Sequence, residues 1–194
     1  MEREAPIAGK TTPPKKRRRH HVLSVVLALC LAGAPEAARA ATEYELKAIY
    51  LLNFAKSFDW PETAFPKATT PLVVGVLGND PFGNTLTRVC RGETAGGHAL
   101  QVRTAKTPAE LYDCHIVFVS KSEASRTNSI VSNFSGRPIL LIGDFSPFAS
   151  KGGHLNFILK SGSVRYEFNA HAAQRNGLRI PSRIQRSGIP VSGR

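Results

Sequence analysis

Leu72-Val73-Val74-Gly75-Val76-Leu77, followed by Gly78-Asn79-Asp80-Pro81, decides the fold. Six residues in a row without a charge or an alternating polar position describe a strand buried on both faces, the mark of a parallel sheet covered by helices. Asp80-Pro81 has the form of an N-cap with proline at the first helical position, which predicts a helix to about Arg91. The pattern repeats outward. A short strand is expected at 100–104. A second helix start follows at Thr107-Pro108-Ala109-Glu110, with Glu110 at the capping-box position. Residues 115–119 read as another buried strand, 122–134 as a helix and 138–142 as a further strand. A turn-rich loop runs from Gly143 to Gly153. Residues 154–159 and 163–168 flank Lys160-Ser161-Gly162 as a hairpin, and 170–176 form a helix closed by Gly177. On the N-terminal side Leu46, Ile49, Tyr50, Asn53, Phe54 and Phe58 recur near helical spacing, so 43–58 predicts an amphipathic helix ended by Trp60-Pro61. The expected fold class is α/β: a three-layer sandwich with a mostly parallel central sheet, helices on both faces and a C-terminal antiparallel hairpin.

Upstream of this domain stand Lys15-Lys16-Arg17-Arg18-Arg19, an apolar run from Val22 to Ala34, and Ala38-Arg39-Ala40 before Ala41. A basic region, a short apolar region and an A-x-A site make a secretory signal, with cleavage after Ala40. The apolar run is too short to span a bilayer, which takes about 20 residues. The expected organisation is a signal peptide at 1–40, the α/β domain at 41–180 and a flexible basic tail at 181–194. The destination is the periplasm, where cytosolic nucleotides and nucleic acid are absent. A nuclear-localisation patch and an uncleaved membrane anchor are the competing readings of the basic and apolar runs.

Export rescales the charge. Of 26 Lys and Arg, 8 lie in residues 1–40, and so do 3 of the 14 Asp and Glu, so the formal net charge of +12 falls to about +7. Such a balance favours an anionic surface or an acidic partner, or describes a solvated basic face. Cys90 and Cys114 remain after cleavage, an even number in an oxidising compartment, so a disulfide between them is expected. Two buried free thiols are the alternative. No C-x-x-C occurs, and His98 and His115 do not have a metal-ligand spacing, so neither a metal nor any other cofactor is expected.

In a parallel sheet, ligands bind beyond the carboxyl ends of the strands. Gly78-Asn79-Asp80, Ser120-Lys121 and Gly143-Asp144 are three such ends and define a candidate crevice around Asp80 and Asp144. The plainer reading is that Asp80 caps a helix and Asp144 begins a turn. No phosphate-binding loop, dinucleotide fingerprint or G-x-S-x-G elbow is present, so no hydrolase or nucleotide enzyme has an anchor. A Cys–His nucleophile at Cys114-His115 is a third possibility.

The ordered set of segments resembles the YfiR family of periplasmic proteins. It comprises Tyr44-Glu-Leu-Lys-Ala-Ile-Tyr-Leu-Leu-Asn-Phe-Ala-Lys56 with Trp60-Pro61, Val74-Gly-Val-Leu-Gly-Asn-Asp-Pro-Phe82, Cys114-His-Ile-Val-Phe-Val-Ser120, Ile139-Leu-Leu-Ile-Gly-Asp144, Gly153-His-Leu-Asn-Phe157, Val164-Arg-Tyr-Glu-Phe-Asn169 and Gly177-Leu-Arg-Ile180. The resemblance implies a non-enzymatic repressor that binds the periplasmic sensor domain of an inner-membrane diguanylate cyclase, lowering cyclic-di-GMP and biofilm formation. It also implies a homodimer, sequestration by an outer-membrane peptidoglycan-binding lipoprotein, and redox tuning through disulfides. The mature chain has cysteines for one disulfide where the best-studied kind of member has two, and the segment from Pro181 onward departs from the family's ending. The first helix and the hairpin are the expected contact surface. Trp60, Arg165 and Glu167 are candidate partner or ligand residues, and Phe54 and Phe157 are candidates whose alternative role is core packing. Arg165 and Glu167 share one strand face, which is either that site or a solvated surface. A periplasmic solute-binding module using Asp80 and Asp144 is the alternative function.

Overall fold

The computed structural model describes Met1 and residues 36–193. The chain divides into two units, Met1–Arg39 and Ala40–Arg194. The signal-peptide segment therefore lies outside the described residues except for its two ends. Its last residues, from Glu36, open the first helix, α1 (Glu36–Ser57), which begins earlier than the predicted 43. No helix among the described residues is long and apolar enough to cross a membrane.

The Leu72–Leu77 strand, β1, is buried at every position. It pairs in parallel with β3 (His98–Ala105) and with β4 (Ile116–Val119), Val74 lying opposite both Val102 and Ile116. Parallel pairing continues to β5 (Leu140–Gly143) and β6 (Leu155–Lys160). β6 turns back into β7 (Ser163–Phe168) as an antiparallel hairpin. Ser161 and Gly162 both have positive φ, 52° and 74°, the two-residue geometry whose twist matches flanking strands. Two elements extend the predicted sheet. β2 (Thr94–Ala95) adds antiparallel to β3, and β8 (Ile189–Pro190) adds parallel to β7, giving the order β2-β3-β1-β4-β5-β6-β7-β8.

Side chains alternate across the strands and build two cores. One joins Val74, Val76, Ile116, Phe118 and Ile142 to Leu51, Phe54 and Phe58 of α1 and to Leu86 of α2 (Thr85–Cys90). The other joins Val73, Leu77, Val117 and Leu141 to Leu111, to Ile130 of α3 (Thr127–Asn133) and to Phe148. Helices thus cover both faces, as the sequence predicts. Phe148 folds under the 143–153 loop, and a Cβ on Gly143 or Gly153 would come within 2.6 or 2.2 Å of its ring, so both positions need glycine.

Three local readings are corrected. Asp80 does not open a helix: its Oδ1 accepts from the Phe82 N–H at 2.8 Å, and α2 starts at Thr85. Asp80-Pro81 is therefore a turn signal, the carboxylate serving the nearby N–H that a helix would otherwise use. The capping box at Thr107 forms, but it closes the 3₁₀ turn Pro108–Leu111. The tail is not loose. After α4 (Ala170–Arg175), α5 (Ser182–Ser187) buries Ile184 against the first core, and Tyr166 donates to the Ile184 carbonyl at 2.8 Å before β8 joins the sheet. Proline and glycine in 181–193 set boundaries between short elements here.

Two buried histidines extend the parallel ladders by one rung each. The His115 N–H donates to the Val73 carbonyl at 3.0 Å, and the Val73 N–H returns a bond to His115 Nδ1 at 3.2 Å. His154 does the same with Leu141, at 3.0 and 3.1 Å. Each imidazole nitrogen stands where a neighbouring strand would place a carbonyl, which requires the neutral ring. Burial lowers the pKa of His115 and takes that of His154 down to about 3, with the Arg175 charge acting in the same direction on His154.

Candidate functional site

The carboxyl ends of β4 and β5, residues 43–47 of α1 and the far half of β6 border an open cavity of about 610 Å³ whose lining includes Glu43, Tyr44, Lys47, Lys121, Asp144 and Leu159. That size suits a small ligand. The crevice foreseen between strand ends thus brings Asp144 and Lys121 together. Asp80 is not among the lining residues and is exposed. Its neighbours are tied elsewhere, the Asn79 N–H donating to Ser122 Oγ at 3.0 Å and Lys106 Nζ to Asn79 Oδ1 at 3.0 Å.

Asp144 organises the site. Its Oδ2 accepts from Tyr44 Oη at 2.7 Å and from Lys47 Nζ at 3.1 Å, and Lys47 also reaches Glu43 at 2.5 Å. The Lys47 and Asp144 side chains are 5% and 2% exposed, so this is a buried ion pair joining α1 to the sheet. Burial and the Asp144 carboxylate push the Tyr44 hydroxyl above its usual pKa, keeping it a donor. Asp144 Oδ1 has no hydrogen-bond partner. A buried acceptor left open costs about 1–3 kcal/mol. Lys47 was visible in the sequence only as one of the charged positions off the helix's apolar stripe. Its partner lies 97 residues away, so no local signal identifies the pair.

Glu167 sits beside this network. Its Oε2 accepts from Asn156 Nδ2 at 3.0 Å, and the fully buried Asn156 accepts from the Phe145 N–H at 3.1 Å. Glu167 thus steadies the loop that carries Asp144. Arg165, two positions earlier on the same face of β7, is exposed. Trp60 is half-buried, stacked on Phe58 with its Nε1 donating to the Ala55 carbonyl at 3.0 Å, so it finishes α1. Phe54 and Phe157 are each 2% exposed and stack at 6.0 Å in the core.

The Cys90–Cys114 disulfide expected from cysteine count is not formed. Both thiols are free and buried. Cys90 packs in the core on one face of the sheet and Cys114 in the core on the other. A disulfide needs Cα atoms within about 7 Å and Cβ vectors that meet, and the sheet stands between them. Burial pushes the Cys90 thiol up to about 11 and that of Cys114 to about 12, so neither is a thiolate at neutral pH. The Cys114–His115 nucleophile fails on the same ground, and the His115 ring is committed to Val73 and to the Ala64 carbonyl. The protein processed after Ala40, which lacks Cys30, should leave an aromatic disulfide reagent unreacted at pH 8 and release two thiol equivalents on unfolding; one bridged pair would release none. Among the described residues, no group of three or more His, Cys, Asp and Glu side chains is placed to hold a metal.

These features define a class: a three-layer α/β domain with a strand-end cavity built around an ion pair and with no activated nucleophile among the groups described. The chain belongs to the YfiR/HmsC-like family, whose model matches residues 44–186. That is a family of periplasmic regulators of cyclic-di-GMP signalling, not of catalysts. A search of curated proteins found no match.

Proposed function

We propose that this protein is an exported, non-enzymatic repressor, cleaved after Ala40, that binds the periplasmic sensor domain of an inner-membrane diguanylate cyclase and lowers cyclic-di-GMP and biofilm formation. The observation that carries this reading is the family match across 44–186. The surface supports it. Met1 aside, the large apolar side chains left exposed among the described residues are Leu46, Ile49 and Leu159, at 48%, 43% and 59%. Leu46 and Ile49 are three residues apart and so neighbours on α1, and Leu159 borders the cavity that α1 helps to line. The first helix and the β6–β7 hairpin are therefore the contact surface, with exposed Arg165 at its polar margin. Asp144 and Glu167 position it, and Asp80 lies outside the cavity. A homodimer and an outer-membrane peptidoglycan-binding lipoprotein that sequesters the repressor complete the partner set.

Deletion of the gene is expected to raise cellular cyclic-di-GMP, and Leu46→Asp/Ile49→Asp is expected to behave as the deletion while the protein stays folded and exported. An unchanged level in the deletion strain, with the cognate cyclase expressed, would count decisively against repression. The cavity, with its open Asp144 oxygen, favours a second reading as a solute-binding module. A metabolite that raises the unfolding temperature, in a protein indifferent to the sensor domain, would select that reading.

A further inference from the structure

Residues 41–144 contain ten basic and ten acidic side chains, whereas residues 145–194 contain eight basic and one acidic. The whole excess charge of the mature chain thus belongs to its last third. All the ion pairs recorded among the described residues lie between Glu43 and Asp144. The single acid of the last stretch, Glu167, is taken up by Asn156. Arg165, Arg175, Arg179, Arg183 and Arg186 are exposed, and none has a carboxylate partner among the described residues. The separation is also spatial. β6, β7 and β8 are the last three strands at one end of the sheet, and α5 packs there through Ile184.

We propose that this arginine-rich edge rests on an anionic phospholipid surface, with β7, β8 and α5 toward the headgroups. Arginine presents a planar fork matched to phosphate oxygens. Arg165 lies on the face of β7 opposite Tyr166, whereas α5 with Arg183 and Arg186 packs on the Tyr166 face, so the forks flank the sheet edge on both sides and suit an edge-on contact with an array of phosphates. The contact proposed is peripheral; no described helix is long and apolar enough to cross the bilayer. Attraction to an anionic surface restricts the search for a membrane-anchored partner to that surface. This goes beyond repression and does not depend on it.

The test is sedimentation of the processed protein, purified from the periplasm, with phosphatidylcholine vesicles made with and without phosphatidylglycerol. Binding is expected to the phosphatidylglycerol vesicles only, and to be lost in high salt. Each surface arginine contributes about fivefold in affinity, so Arg183→Glu/Arg186→Glu should weaken binding at least tenfold. Lys67→Glu/Arg91→Glu makes the same change in net charge within the neutral stretch and should weaken it less than about twofold, because the attraction is local. Arg165→Glu/Arg179→Glu serves as a second edge pair if the first does not fold. No preference for phosphatidylglycerol, equal losses from edge and control pairs, or retention by the cyclase sensor domain but not by vesicles would overturn the proposal, the last in favour of an acidic protein partner.

Discussion

Lowering the pH from 7 to 4 should destabilise the protein by about 3 kcal/mol through His154 alone. Unfolded histidine titrates near 6.5, while burial holds His154 in the fold down to about 3. The folded-state value is the lower one, so the unfolded chain binds the proton first as pH falls. The stabilisation is complete above about pH 6.5 and declines by about 1.4 kcal/mol per unit below it, until the folded protein protonates as well. His115 shifts in the same direction and adds to the loss. The structural cause is the borrowed ladder rung: a protonated His154 presents an N–H to the Leu141 N–H it now accepts from. His154→Asn keeps a side-chain acceptor near Nδ1 and removes the titration. Urea unfolding at pH 7 and pH 4 should show a variant less stable at pH 7 and much flatter across the interval. An equally steep loss in the variant would place the acid sensitivity elsewhere.

Lys47→Met is expected to cost about 3–5 kcal/mol, the range for stripping one partner from a buried ion pair. The ammonium is shared by Glu43 and Asp144, and its removal leaves a carboxylate that is 2% exposed with Tyr44 as its remaining donor. Asp144→Leu should cost less, because Lys47 keeps Glu43 four residues earlier on α1. The double variant Lys47→Met/Asp144→Leu should recover much of the single Lys47 loss, since the uncompensated buried charge is gone. Denaturant unfolding of the four proteins gives the coupling directly, and simple additivity would show that the pair is not acting as a unit. Binding to the sensor domain, measured at equal folded fraction, should fall with Lys47→Met if the pair fixes α1 for recognition.

The strands were legible because burial on both faces leaves an uninterrupted apolar run, as at 72–77, and the hairpin because Ser161-Gly162 fits a turn needing two positive φ angles. Thr107 and Glu110 announced a cap, since capping is decided within four residues. What failed depended on tertiary context. Cysteine parity suggested a bridge, but parity says nothing about which face of a sheet each thiol meets. Basic composition with Pro181 and Gly188 suggested looseness, but Ile184 and Tyr166 anchor that stretch. At the site, Asp144 and the crevice followed from the rule about strand ends, whereas Lys47, Tyr44 and Glu43 arrived from a helix 97 to 101 positions earlier, which only folding brings across. The two ladder histidines have a local signature: each stands immediately before a strand, in His115-Ile-Val-Phe-Val and His154-Leu-Asn-Phe.

Pro190 in β8 has a consequence for solubility. β8 covers the outer side of β7, with Phe168 beside Pro190, and proline has no N–H to offer a further strand. The outermost rung at this end is therefore a terminator. A chain cut after Ser187 would keep the matched family segment yet present the bare, hydrogen-bonding flank of β7 to its neighbours, inviting sheet-to-sheet stacking between molecules. The last few residues thus act as a guard against self-association.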